Sequence, residues 1–393
     1  MHPEHTKSNT GEYLNIDIFR LIAALLVITI HTSPLSSFSD TADFMLTRIL
    51  ARTAVPFFFM ATGFFLLPRA KSVMATVKKL GLIYLLSILL YLPLNIYSGQ
   101  QTTSFGEGLR AIFFDGTFYH LWYLPAAMLG ILLLSVLRRF LSLRGCLILC
   151  CILYVIGLCG DSYYGLASQI PPVRAFYDGI FSFSSYTRNG LFLAPIFICL
   201  GWQMGDTRKN APKKPMALLS REISCIWPML LFLILMTAEA LLLRNLNVQR
   251  HDSMYIFLPP CMYFLFAWLA GRRVCYAGAS TSRYVSSSAV PYAPYSAVPS
   301  ASSARGSRRR FLRGMDIRRL GAMLRSVSLS IYILHPWMIV IVRGAAKVLH
   351  MEKLLVDQSF IHFIAVAIGS CIMAVILWIC KQIFLNKYRQ RQR

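Results

Sequence analysis

The sequence predicts an all-α, polytopic membrane protein of about ten transmembrane helices with both termini in the cytosol, and three observations carry that prediction. Composition is the first: 56% of the 393 residues are hydrophobic, 14% are charged and mean hydropathy is +0.56, too few charges to cover a soluble surface. The second is a series of ten apolar runs, most of them about the length that crosses a hydrocarbon core roughly 30 Å thick. The third is where lysine and arginine fall. With the N-terminus inside, 29 of the 40 lie in cytoplasmic segments and ten in outer loops and helix ends, the remaining one being Arg20 within the first span. The net charge of +24 is then a cytoplasmic property, which points to membrane lipid or an anionic cytosolic substrate and away from nucleic acid.

The elements follow in order. Residues 1–15 are polar and show no cleavable signal peptide, so they read as a cytoplasmic N-terminal segment. The first span, 16–33 (IDIFRLIAALLVITIHTS), carries Arg20 and His31. Eleven residues at about 100° each make roughly three turns, so both side chains leave one face, about 16 Å apart along the axis. The second span, 51–67, opens on Arg52 and contains Pro56 and Gly63, a kink or a close approach of neighbours. The third runs over 78–97. The fourth, 121–137, is entered through HLWYL (120–124), where Trp122 and Tyr123 also suit an interfacial aromatic belt and His120 precedes them. The fifth to eighth lie at 145–160, 190–205, 226–244 and 254–271, with Glu239 inside the seventh. These eight make one membrane block over 16–271.

Residues 272–324 read as a cytoplasmic linker, because 277–307 hold ten serines and seven alanines without apolar periodicity and an arginine-rich run follows. The ninth and tenth spans are 325–343 and 360–384, and 385–393 form a basic tail. The ninth contains SLSIYILHPW, in which Ser328 and Tyr332 share a face and His335 precedes Pro336. That histidine marks either a helix irregularity or a functional group. All ten cysteines fall in or beside spans without the spacing of a zinc site, so neither disulfides nor a metal are expected.

An ionisable side chain facing lipid is costly, so Arg20, His31, Arg52 and Glu239 are expected to face a protein interior or a water-filled cavity. Glu239 reads as an ion-pair partner for Arg52, His31 or Arg244.

Four blocks in this order, Arg20-x10-His31, Arg52 before VPFFFMATGFFL, HLWYL and SIYILHPW, resemble the acyltransferase 3 family of bacterial integral-membrane acyltransferases over about residues 14–384. Within that family the first two spans look most like the membrane domain of the membrane-bound serine racemases of vancomycin-resistance clusters. Those proteins continue into a cytosolic pyridoxal-phosphate racemase domain; this chain stops at Arg393, so racemase activity is not carried over, and a separate cytosolic racemase becomes a conceivable partner. The resemblance implies a multi-pass protein of the bacterial cell membrane. It also implies transfer of an acyl group, typically acetyl, from cytosolic acyl-CoA as co-substrate to a hydroxyl of an extracytoplasmic acceptor, with no tightly bound cofactor. On that basis His31 is the expected general base and Arg20 the group that holds a CoA phosphate, both in catalytic roles. Arg52, Glu239, His120, Trp122, Tyr123, Tyr332 and His335 are the expected substrate-binding residues. Uptake of L-serine is the alternative activity.

Overall fold

The computed structural model describes residues 13–68, 73–99, 104–210, 216–271 and 317–391. Among these residues there are helices and turns and no strand. Helix α1 spans Leu14–Thr32. The next helix starts at α2 (Asp40–Phe44), passes through a π turn (Met45–Ile49) and a 3-10 turn (Leu50–Thr53), and continues as α3 (Ala54–Leu66). There follow α4 (Val73–Tyr97), α5 (Phe105–Arg110), α6 (Tyr123–Phe140) and α7 (Leu143–Cys159). Next come α8 (Tyr164–Ala167), α9 (Pro171–Phe183), α10 (Ala194–Asn210), α11 (Met216–Leu246) and α12 (Leu258–Gly271). The chain closes with α13 (Ile317–Val348), α14 (Glu352–Leu355) and α15 (Ser359–Arg391).

Every one of the ten apolar runs lies on a helix. Seven are long and apolar enough to cross a membrane; Leu143–Cys159 and Leu258–Gly271 are apolar but shorter. The outward faces of α4 and α15 carry exposed rows, Leu82, Leu85, Leu86 and Leu89 on one and Ile368, Ile372 and Ile376 on the other. An apolar surface this extensive fits lipid and not water. The chain is a polytopic helical membrane protein.

Two helices form the axis of the bundle because their sequences let the backbones touch. A Cβ on Gly63 of α3 would lie 1.9 Å from the Ile198 carbonyl oxygen, and one on Gly201 of α10 would lie 2.0 Å from that of Met60. Each glycine meets the backbone of the other helix, as small residues do where membrane helices pack closely. Around them Phe57, Met60, Phe197 and Phe266 are fully buried. A second core joins α1, α13 and α15 through Ala24, Ile28, Val327, Ile331, Val366 and Ala374.

The structure departs from the sequence reading at several boundaries. The second span begins at Asp40 and not at 51: Ser39 caps it by accepting from the Ala42 N–H at 3.3 Å, and the polar turn hides a helix that buries Thr47 and Ile49. The ninth begins at Ile317, inside the stretch read as linker, because Gly321, Leu324, Val327, Ser328 and Ile331 continue one buried stripe at helical spacing. The last continues to Arg391, into the stretch read as tail. Amphipathic α9 sits in what reads as a plain outer loop, opened by Pro171 and Pro172 in the first turn. The Ser/Ala-rich stretch 277–307 lies outside the described residues.

Candidate functional site

A cavity of about 60 Å³ opens at the end of the bundle where α1 stops and α6, α10 and α12 begin. Its wall is assembled from six segments: His31 from α1, Arg52 from the 3-10 turn, Tyr119, His120, Trp122 and Tyr123 from the entry to α6, Arg188 and Ser253 from two separate loops, and Tyr332 from α13. Local backbone chemistry explains how each arrives. The π turn adds a residue to the helical repeat just before Arg52 and so re-aims it. Gly116, at φ +81°, makes the turn that brings the 119–123 segment back; a Cβ there would sit 2.4 Å from the Trp122 nitrogen. Asn189 holds the 184–193 loop, its side chain donating to the Tyr186 carbonyl at 2.9 Å and accepting from the Leu191 N–H at 2.9 Å.

Three histidines from three elements meet here. The rings of His31 and His335 stack at 5.2 Å and 25°, and His120 packs edge-on against His335, also at 5.2 Å. Proline explains the orientation of His335. Pro336 has no N–H for the Tyr332 carbonyl one turn back, and His335 Nδ1 lies 2.9 Å from that oxygen and 3.2 Å from the Ile331 carbonyl. Carbonyls only accept, so Nδ1 carries the proton and Nε2 presents a lone pair, buried and without a partner among the described residues. Tyr332 in turn donates to the His120 carbonyl at 2.6 Å and stands edge-on to both the His120 and Tyr123 rings. His120 is 2% exposed, both its ring nitrogens lack partners among the described residues, and burial holds its imidazole well below the usual histidine range. His31 lies against Tyr119 at 4.7 Å and makes no hydrogen bond to the described residues.

Of the nine residues singled out from sequence, six line the cavity: His31, Arg52, His120, Trp122, Tyr123 and Tyr332. His335 stands directly behind His31. The other two are elsewhere. Arg20 lies toward the opposite end of α1, 3.3 Å from Asp17, a carboxylate that Arg325 also binds. Glu239 sits apart from both arginine and histidine: its carboxylate accepts from the Tyr163 hydroxyl at 2.7 Å and from the backbone N–H groups of Ile256 and Phe257 at 2.7 and 3.2 Å, at the start of α12. The expected ion pair with Arg244 is not made either, because that guanidinium lies over the Phe44 ring at 4.5 Å.

Behind the cavity, Asp161 ties the loops together. Its Oδ1 accepts from the Ser253 and Met254 N–H groups at 2.8 and 3.0 Å, and its carbonyl accepts from the Arg250 N–H at 3.0 Å. Burial pushes its carboxyl up to about 6, opposed by those bonds and by Arg188 and Arg52.

A family profile described as an acyltransferase domain matches residues 13–380, nearly the whole described chain. The chain belongs to the acyltransferase 3 family. Curated relatives include two amino-acid racemases of Enterococcus faecalis, 37% and 34% identical over 93% and 92% of this chain, and a serine/alanine racemase of Enterococcus gallinarum, 38% identical over 64% of it. The chain spans less than half the length of these proteins, 45% of the first two and 36% of the third. No solved structure matches. In this family member the sequence reading missed Arg188, Tyr119 and Ser253. Arg188 and Ser253 lie in polar loops, where an arginine or serine carries no burial cost to mark it, and Tyr119 directly precedes the HLWYL block; the one available signal for Arg188 was its place between Tyr186 and Asn189 at the mouth of a span.

Proposed function

We propose that this protein transfers an acyl group from cytosolic acyl-CoA to the hydroxyl of an acceptor bound at the three-histidine cavity. The observation that carries the reading is the convergence of His31, His120 and His335 beside Arg52. Family membership supports the reaction type.

In this reading His31 takes the hydroxyl proton, and the neutral His335 stacked behind it fixes the ring and disperses the charge that forms. The acceptor oxygen attacks the thioester carbonyl carbon, the acyl C–S bond breaks, and CoA leaves as the thiol with the proton returned by His31. Arg52, on the same wall, binds the acceptor and holds its hydroxyl toward His31. Arg20, with Asp17 and Arg325, marks the cytosolic end at which donor phosphates bind, about 16 Å along α1 from His31. The cavity then faces the outside of a bacterial cell membrane, with both chain termini in the cytosol, as the lysine and arginine distribution requires.

The test is transfer of labelled acetyl from acetyl-CoA into membrane or envelope material by vesicles containing the protein. L-Serine uptake, supplied to a cytosolic racemase, is a second reading; two arginines beside a small cavity and a relative named as a serine/alanine racemase favour it. Labelled serine accumulating in the same vesicles without acetyl transfer would select it.

A further inference from the structure

We infer that Arg52 and Arg188 form a carboxylate-binding subsite, so that the ligand of this cavity is a small hydroxylated carboxylate or a larger molecule ending in one. The hydroxyl part of that statement rests on the acyl-transfer reading; the carboxylate part does not. Arg52 is 8% exposed and makes no hydrogen bond or ion pair to the described residues. Arg188 is held flat, its guanidinium 4.3 Å from the Tyr186 ring centroid and 5.3 Å from that of Trp122, with Nε buried and lacking a partner among the described residues. Its one hydrogen bond among the described residues is a long one, 3.5 Å to the Ser253 hydroxyl.

The neighbouring acids make no direct contact with either guanidinium among the described residues. Asp252 reaches Arg48 at 3.9 Å, and Asp161 Oδ1 is taken by two backbone N–H groups and the Ser162 hydroxyl, while its buried Oδ2 has no hydrogen-bond partner among the described residues and Asp161 acts on the two arginines only through space. Neither forms an ion pair with Arg52 or Arg188. Two largely buried guanidinium groups beside one small cavity are costly unless an anion compensates them. A planar, stacked guanidinium matches the two oxygens of a carboxylate. The size of the cavity admits a group of a few atoms, and His31 on the same wall is placed to meet a hydroxyl on that ligand.

The probes are pairs that differ only in the carboxylate, glycerate against glycerol and L-serine against L-serinamide, with inorganic phosphate as a third arm. Calorimetric titration of purified protein in lipid nanodiscs should show the two carboxylates binding roughly tenfold or more tighter than their neutral partners and than phosphate. Arg52→Gln and Arg188→Gln should each weaken them by about tenfold or more, and Arg188→Lys by less. Carboxylate binding by the wild-type protein without acetyl transfer by the same preparation would sink the acyl-transfer reading and leave the subsite standing. Neutral probes that bind as well as carboxylates, phosphate that binds better, or no carboxylate binding would overturn the subsite. If a Gln variant elutes as aggregate, the wild-type probe pairs and the Lys variant decide the matter alone.

Discussion

Glu239 and Asp161 are the two carboxylates buried deepest in this end of the protein; backbone N–H groups and hydroxyls donate to both, to Asp161 through Oδ1 alone, and neither forms an ion pair among the described residues. Glu239→Gln should therefore cost about 1–3 kcal/mol of stability, through weaker bonds to α12 and Tyr163, and leave acyl transfer per folded molecule near wild type. A variant of wild-type stability without activity would return Glu239 to the site. Asp161 acts on pH dependence together with His251, whose imidazole burial and the surrounding arginines hold down to about 4. Between pH 4 and 6 the folded state holds more protons than the unfolded chain at Asp161, so that contribution to stability is lost as pH rises through about 6. At His251 the unfolded chain holds more, so that contribution is gained from about 4 to 6.5. The two offset each other. Asp161→Asn removes the first alone, and thermal unfolding in detergent should then show stability rising with pH more steeply than wild type, by up to about 3 kcal/mol across the window. Parallel profiles would contradict this.

The element that matters most is α13, where the His335–Pro336 dipeptide couples a helix irregularity to a tautomer. Pro336→Ala supplies an N–H to the Tyr332 carbonyl and releases His335 Nδ1. The helix should become no less stable, while acyl transfer falls by about tenfold or more. Unchanged activity would show that the orientation of His335 is irrelevant to the reaction. At the α3–α10 crossing, Gly201→Val should abolish monodisperse expression, because the added side chain collides with the Met60 carbonyl and not with a movable group. Much of this was legible from sequence. Arg52, His31 and Tyr332 announced themselves because polar groups in apolar runs carry a burial cost, and Gly63 announced a close approach. Glu239 misled by the same logic, since the cost is real but loop backbone amides, invisible to periodicity, meet it. The π turn that aims Arg52, the positive φ of Gly116 and the helix hidden in 40–50 left no periodic signal.

For the whole molecule, the arrangement separates two charged regions along α1: the Asp17, Arg20 and Arg325 cluster at one end and the histidine and arginine cavity at the other. A single helix connects them. The cavity wall is drawn from α1, the 3-10 turn, the entry to α6, two loops and α13, so it is assembled only once those distant stretches of chain have packed together. That makes the cavity histidines the decisive place to intervene. The most direct measurement is transfer of labelled acetyl from acetyl-CoA by vesicles containing equal amounts of folded wild type or His31→Ala. Label carried by wild type and reduced about 10²–10⁴-fold in the variant is the result expected of a general base. Equal labelling by the two proteins would contradict the assignment of the three-histidine cavity as the site of transfer.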